Sequence, residues 1–254
     1  MLVDTHCHIF REYYDDIDEV IARAKEAGLK AIIVNGVDRK SNEEVLELVK
    51  KYDIVYGTLG IQPEEVEKCN DDDILFIEEH INDDKIIAVG EIGLDYHYEC
   101  DKELQKKVFL KQLEIARKYN KPVIIHSRDC INETYNILKD YNLKGIMHCY
   151  SGSVEMARMF NKIGFLLGIG GIATFKNAVK VVEVIKEIDL EYIVVETDSP
   201  YLSPEPYRGK KNEPVNAKII MEKIASLKGL GYNEVCDAVS SNISSLFDKQ
   251  LDLW

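Results

Sequence analysis

Eight apolar runs of strand length recur along the chain, and helical patterns separate most of them. The helical patterns include residues 15–27, where apolar side chains recur at helical spacing up to Gly28, and residues 102–119. Strands that read as near-continuous apolar runs and alternate with helices are typical of a parallel sheet covered by helices. Repeated eight times, the pattern predicts an α/β fold, a (β/α)8 TIM barrel. The runs lie near residues 2–9, 30–37, 54–61, 86–94, 122–127, 145–150, 165–172 and 192–197.

The length of 254 residues agrees with one such barrel. A chain of this size could hold two small domains, but α/β barrels commonly reach it as one domain with a large buried core. We therefore predict a single domain over residues 1–254, with C-terminal helices over about residues 215–247 packing on the barrel. No linker, low-complexity tract or short-period repeat interrupts the chain.

The charge balance disfavours nonspecific binding to nucleic acid. The chain has 32 basic and 45 acidic residues, a net charge of −13. Such a surface attracts polyanions poorly, so any contact with DNA has to come from a local group of cations.

The sequence favours a cytoplasmic protein that does not contact membranes. No positively charged leader precedes an apolar segment at the N-terminus, and no run approaches the roughly 18 apolar residues of a membrane span. The six cysteines lack Cys-x-x-Cys spacing, which indicates reduced thiols. No P-loop or dinucleotide fingerprint is present, so we expect no nucleotide cofactor. Nothing in the sequence indicates an oligomeric state.

Residues of metal-ligand type occur late in several of the apolar runs. His6 and His8 lie two apart in the first run, so their side chains project to the same face of a strand. The active sites of TIM barrels lie at the C-terminal ends of the strands. We therefore expect the ligand-type residues to gather at that end of the barrel. The others end the fourth, fifth, sixth and eighth runs, as Glu91, His126, His148 and Asp198.

Imidazole and carboxylate ligands without thiolate fit a catalytic Zn²⁺, Mn²⁺ or Mg²⁺ site better than a closed structural zinc site. Six such ligands are too many for one zinc ion. They suit two divalent ions with a bridging carboxylate such as Glu91, an arrangement that activates water for hydrolysis. The residues alone thus predict a two-metal hydrolase.

At these residues the chain closely resembles the TatD family of metal-dependent deoxyribonucleases, within the amidohydrolase-like barrel superfamily. The resemblance runs nearly end to end. It implies metal binding by the six ligand-type residues above and a Mg²⁺-dependent 3′ to 5′ exonuclease activity, with single-stranded DNA or 3′ ends as substrate. The motifs that carry it are Asp4-Thr5-His6-Cys7-His8, Gly90-Glu91-Ile92-Gly93-Leu94-Asp95-Tyr96, His126-Ser127-Arg128-Asp129, His148-Cys149-Tyr150-Ser151-Gly152-Ser153, Glu196-Thr197-Asp198-Ser199-Pro200-Tyr201-Leu202 and Arg208-Gly209-Lys210-Lys211-Asn212-Glu213-Pro214.

Our mechanistic hypothesis divides the ligands between two ions. His6, His8 and Asp198 hold one ion, His126 and His148 hold the other, and Glu91 bridges them. Asp198 also serves as the general base, because a carboxylate beside two cations stays ionised.

Neighbouring acids leave two interpretations open. Glu196 alternates onto the face of Asp198, where it either orients a ligating histidine or forms an ion pair in the barrel core. Asp4 either orients a histidine or closes its strand. For Asp95 we favour a loop tether.

One position departs from the family pattern. Gln62 stands in Gly60-Ile61-Gln62-Pro63, where the family commonly has a histidine. A glutamine cannot shuttle a proton, although it can bind a phosphate oxygen or a water. Arg128, Arg208 and Lys210 fall in loops after strands and could neutralise phosphate locally.

Two alternatives to a nuclease follow. The first is an ester or amide hydrolase, for example of an aminoacyl ester on transfer RNA, because the same activated water attacks carbonyl carbon. The departure at Gln62 keeps this alternative open. The second is a non-catalytic metal-binding barrel, which is disfavoured because no ligand is missing.

Overall fold

The computed structural model describes residues 1–97 and 99–247. Eight parallel strands form one sheet in the order β1 to β8. Each predicted run corresponds to one of these strands, and nearly every strand residue is buried, which explains why the runs are so continuously apolar. The strands are β1 (Leu2–Cys7), β2 (Leu29–Asn35), β3 (Val55–Leu59), β4 (Ile86–Asp95), β5 (Val123–Arg128), β6 (Gly145–Met147), β7 (Phe165–Ile169) and β8 (Ile193–Val195).

Helices alternate with the strands, so the predicted (β/α)8 barrel fold is confirmed. Carboxylate or amide side chains cap several helices; Asp16, for example, accepts a hydrogen bond from the amide of Glu19 at 3.1 Å. The helices are α1 (Ile17–Glu26), α2 (Arg39–Lys51), α3 (Asp71–His80), α4 (Lys102–Tyr119), α5 (Ile131–Leu138), α6 (Val154–Lys162), α7 (Val179–Glu187), α8 (Ala217–Lys228) and α9 (Tyr232–Leu246). In the described part of the chain no helix has the length and apolar character needed to cross a membrane.

The chain divides into two compact units. The first unit comprises Met1–Val34, Cys149–Lys162 and Leu166–Trp254, and the second comprises Asn35–His148 and Ile163–Phe165. The organisation of residues 1–254 as one domain stays a prediction.

In the first unit, α8 and α9 pack on β1 and β8. The amide of Asn242 on α9 donates hydrogen bonds to the carbonyls of Leu190 and Ile193 at 2.9 and 2.8 Å. The N-terminal amine of Met1 donates to Ser240 on the same helix at 2.8 Å. These contacts hold the beginnings of both strands, so the opposite ends remain available for the site. The two helices correspond to the helical region predicted over about residues 215–247.

In the second unit, buried amides hold the segment that contains Gln62. Asn42 donates to the carbonyl of Gly60 at 2.9 Å and accepts from its amide at 3.0 Å. Gln112 makes the same pair of contacts with Ile61, at 3.0 and 2.8 Å. Gln62 itself is half-buried, and its backbone amide donates to the carbonyl of Val37 at 2.9 Å.

The pairing of β4 with β5 requires a glycine at position 93. Gly93 pairs with His126 and has a φ of +148°, and a Cβ placed there would lie 2.0 Å from the carbonyl oxygen of His126. We expect Gly93→Ala to lower the free energy of unfolding by about 1–3 kcal/mol, measured by urea denaturation. Gly28→Ala is the control, because Gly28 also has a positive φ, +91°, but open space around it. Equal losses in the two variants would show that the close approach to His126 is not the cause.

Candidate metal centre

Three ligand-type side chains converge in the first unit. His6 lies in β1 and His8 follows the strand, and their Nε2 atoms are 3.1 Å apart. The Oδ1 atom of Asp198 lies 3.8 Å from Nε2 of His6 and 3.6 Å from Nε2 of His8. Both imidazoles are buried, and the Asp198 side chain is 13 % exposed. Two nitrogens and a carboxylate oxygen at this spacing fit a divalent ion. We call these residues the first ligand group.

The loop after β8 places Asp198. Its backbone has a φ of 55°, a left-handed conformation that aspartate and asparagine adopt more readily than most residues. Its amide donates to the carbonyl of His6 at 2.9 Å. The adjacent Thr197 donates to Asp4 through its hydroxyl at 2.5 Å and its amide at 2.8 Å. These contacts favour the strand-closing interpretation of Asp4, whose burial raises its pKa to about 8.

Glu196 is buried among backbone groups. Its Oε1 atom accepts a hydrogen bond from the amide of Cys149 at 2.5 Å. A Cβ at Gly168 would lie 2.2 Å from Oε2, so the glycine makes room for the carboxylate. The described contacts support the carboxylate as a tether for the Cys149 backbone, and an orienting role toward a histidine stays a prediction.

Three further ligand-type side chains converge in the second unit. Nδ1 of His126 lies 2.9 Å from Oε1 of Glu91, and Nε2 of His148 lies 4.0 Å from the same oxygen. Glu91 and His148 are buried, and the His126 side chain is 22 % exposed. This set also fits a divalent ion, and we call it the second ligand group.

The sequence placed Glu91 at the end of the fourth strand, and this is wrong in detail. Glu91 lies in the middle of β4, which continues to Asp95. The strand is longer because Leu94 and Asp95 still pair with Ser127 and Arg128 of β5. His126 likewise lies within its strand, whereas His148 follows β6 directly.

Asp95 is the residue whose role the sequence analysis missed. We interpreted it as a loop tether, but it ends β4, is 2 % exposed and places Oδ2 2.8 Å from Nε2 of His126. Its other oxygen accepts from the amide of His97 at 2.9 Å. If His126 donates through Nε2 to Asp95, its Nδ1 atom is the nitrogen left for a metal. The four-residue spacing from Glu91 did not reveal this contact, because it depends on the pairing of β4 with β5.

We expect Asp95→Asn to lower the affinity for Mn²⁺ about 10- to 100-fold, because a carboxylate that orients a ligating histidine contributes that much. Isothermal titration calorimetry measures the change. The matched control is Asp129→Asn, since Asp129 makes a similar contact of 2.8 Å with His97 at an exposed position. An unchanged affinity in Asp95→Asn would show that the contact does not support metal binding.

Metal uptake should depend on pH through His126. Burial lowers the pKa of its imidazole, but the hydrogen bonds with Asp95 and Glu91 outweigh burial and raise that pKa to about 10. Burial likewise opposes ionisation of Asp95, yet the contacts with His126 and the His97 amide bring its pKa below the ordinary value.

Below that raised pKa the metal-free protein holds a proton on His126, and a bound metal must displace it. Displacement of this one proton should make the affinity for Mn²⁺ rise about tenfold per pH unit between about pH 6 and about pH 8. Calorimetry in buffers of different ionisation enthalpy counts the protons released. Release of no proton in that range would contradict the prediction.

The structure also places the predicted substrate-binding cations. Arg128 ends β5 and is exposed. Arg208 lies with its guanidinium carbon 4.3 Å from the centre of the Phe175 ring, and the Lys210 ammonium lies 5.8 Å from that of Tyr207. Both are exposed residues of the loop after β8. Their role toward substrate, like that of Gln62, stays a prediction.

A family model described as TatD related DNase matches residues 3–248. The chain belongs to the TatD family. It is therefore a metal-dependent hydrolase, in agreement with the names of its relatives. A relative from Bacillus subtilis, described as the uncharacterized metal-dependent hydrolase YabD, is 42% identical over 252 residues, covering 97% of this chain and 99% of the relative.

Two further relatives extend the comparison. The uncharacterized metal-dependent hydrolase MJ1582 of Methanocaldococcus jannaschii is 39% identical over 98% of both chains. The crystal structure of YjjV, a TatD homologue from Escherichia coli, superposes with a TM-score of 0.93 at 32% identity, covering 97% of this chain and 98% of that one. The barrel fold and the hydrolase class thus rest on similarity across nearly the whole chain.

Proposed function

We propose that the protein is a deoxyribonuclease that removes nucleotides from the 3′ end of single-stranded DNA with the help of divalent metal ions. The observation that carries the proposal is the pair of ligand groups, each with two histidines and one carboxylate, in a chain whose family is described as TatD related DNase. The cations of the loop after β8 support a phosphate-containing substrate, because the chain as a whole is acidic.

Each ligand group is proposed to bind one divalent ion, Mg²⁺, Mn²⁺ or Zn²⁺. The donor atoms are nitrogen and carboxylate oxygen, which all three metals accept, and most of the side chains are buried and held by neighbouring contacts. Such ions supply Lewis acidity and make hydroxide available near neutral pH.

The side chains of this chain then have separate tasks. Asp198 accepts the proton of the attacking water. As the water oxygen bonds to phosphorus, the bond from phosphorus to the 3′ oxygen of the preceding nucleotide breaks, and that oxygen takes up a proton from solvent water. Asp95 keeps His126 oriented through its 2.8 Å contact. Arg208 and Lys210 hold the strand through its phosphates.

The experiment is a gel time course on 5′-labelled single-stranded DNA. Metal-stripped protein receives Mg²⁺ or Mn²⁺, and a Glu91→Ala preparation purified in the same way detects contaminating nuclease. A metal-dependent ladder of progressively shorter products that Glu91→Ala does not produce is the expected result. It would also show that the glutamine at position 62 is compatible with exonuclease activity.

Intact DNA with every metal would overturn the nuclease proposal. An aminoacylated transfer RNA would then be the next substrate, because the same groups support attack on carbonyl carbon. Short 5′-labelled fragments that appear at the earliest times, before products of intermediate length, would retain the nuclease and overturn the exonuclease mode.

A further inference from the structure

Aromatic rings adjoin the first ligand group. The ring of Tyr201 lies 6.4 Å from the His8 imidazole in an edge-on arrangement. The Tyr13 ring lies 5.8 Å from that of Tyr201, and the Phe10 ring lies 6.1 Å from His8 and 6.4 Å from Tyr13. We call Phe10, Tyr13 and Tyr201 the aromatic patch. It begins at a candidate ligand and continues to the surface.

The patch presents one anchored and accessible ring. Phe10 is buried, Tyr13 is half-buried and Tyr201 is 49 % exposed. The amide of Tyr201 donates to the carbonyl of Asp198 at 2.8 Å, so one turn positions both the carboxylate and the ring. A solvent-exposed aromatic ring that such a turn holds in place can bind a planar partner with little loss of conformational freedom.

Cations lie in the same part of the first unit. Residues 207–211 include Arg208, Lys210 and Lys211 without an acid, although the chain carries a net charge of −13. Lys211 donates a hydrogen bond to the carbonyl of Tyr13, which connects this basic segment to the patch. Its ammonium also lies 5.3 Å from the centre of the Tyr14 ring. A ring beside cations matches the alternation of base and phosphate along a single strand.

We propose that Tyr201, supported by Tyr13, stacks on the terminal nucleobase of a single-stranded nucleic acid while the adjoining phosphates contact the basic segment. The assignment rests on the proposed function, because it names how that site selects its substrate. The Tyr201 ring lies edge-on to the His8 ring with 6.4 Å between their centres, so a base stacked on Tyr201 would have its own phosphate close to the first ligand group. A base inside a duplex is already stacked, so the patch favours unpaired ends and tolerates all four bases.

Fluorescence of 2-aminopurine measures the stacking directly. The probe is a short single strand with 2-aminopurine at its 3′ end and phosphorothioate linkages that slow hydrolysis, titrated with the Mn²⁺-loaded protein. Binding should quench the probe with the wild type and with Tyr201→Phe, which keeps the ring. Tyr201→Ala should lose the quenching and bind about 5- to 150-fold more weakly, the usual effect of one base–aromatic stack.

Two controls separate stacking from a change in folding or charge. Tyr232→Ala removes a half-buried ring at the beginning of α9, outside the aromatic patch and the basic segment, and it should quench and bind as the wild type does. A strand with an abasic 3′ terminal residue should bind the wild type and Tyr201→Ala equally. Circular dichroism melts establish that each variant is folded.

The outcomes distinguish this proposal from the proposed function. Full quenching and wild-type affinity in Tyr201→Ala would overturn the stacking assignment, whether or not the protein cleaves DNA. If the protein cleaves DNA but Tyr201→Ala changes neither the quenching nor the affinity, the nuclease proposal is retained and the stacking assignment is overturned. Quenching that depends on Tyr201 in a protein that cleaves no DNA would support the patch and overturn the nuclease. Absence of any binding to the strand would overturn both.

Discussion

Asp198→Asn should lower the rate of hydrolysis about 10²- to 10⁴-fold, the range expected when a general base is removed, and leave the protein folded. Asparagine has the same shape as aspartate and also tolerates the left-handed backbone, with a φ of 55°, that position 198 requires. The backbone contacts that tie this turn to His6 do not involve the carboxylate. The substitution therefore removes the charge and the proton acceptor with little cost in stability.

Single-turnover kinetics at saturating Mn²⁺ measure this effect, because saturation compensates for a weaker first ligand group. Asp129→Asn serves as the control, since Asp129 also has a left-handed backbone, with a φ of 58°, and is exposed. Unchanged turnover in Asp198→Asn would exclude this carboxylate as the base and direct attention to other acids of the site.

Glu91→Ala should abolish hydrolysis, with a loss of at least about 10³-fold, because an ion contributes several kcal/mol of transition-state stabilisation and 1.36 kcal/mol is a factor of ten. Its carboxylate supplies the only acidic ligand of the second ligand group as defined above, 2.9 Å from His126 and 4.0 Å from His148. Two imidazoles alone hold Mg²⁺ or Mn²⁺ weakly, since these metals prefer oxygen ligands.

Metal content and stability separate the causes of that loss. Calorimetric titration should show one strong Mn²⁺ site fewer in Glu91→Ala than in the wild type. Glu91→Gln fills the same buried space, and it should lose the same site because a neutral amide binds metal poorly. Equal loss of activity with unchanged metal stoichiometry would show that Glu91 acts on the reaction rather than by holding an ion.

Much of the fold could be predicted because the strands are buried on both faces. The sequence of such a strand is a continuous apolar run regardless of which strands it pairs with. All eight strands were predicted from such runs. The lengths of the strands were harder to predict from the sequence. The pairing of Asp95 with Arg128 extends β4 beyond Glu91, and this pairing depends on a strand 30 or so positions away in the chain.

The ligand-type residues could be predicted because imidazoles and carboxylates at the ends of apolar strands have few ordinary structural explanations. The convergence of His6, His8 and Asp198 was anticipated from this pattern, as was that of Glu91 with His126 and His148. The support of Asp95 for His126 was missed, because a carboxylate four residues beyond a ligand carries no distinguishing pattern of its own.

The fold class, the family and the chemical types of the candidate ligands were predictable from the amino-acid sequence alone, since these depend on local periodicity and on which side chains are present. Which atoms face one another depends on how the chain folds in three dimensions. Tertiary structure set the orientation of His126 between Glu91 and Asp95 and the edge-on contact of Tyr201 with His8. Both contacts join residues that are remote in the chain, and only strand pairing and the turn after β8 bring them within a few ångströms.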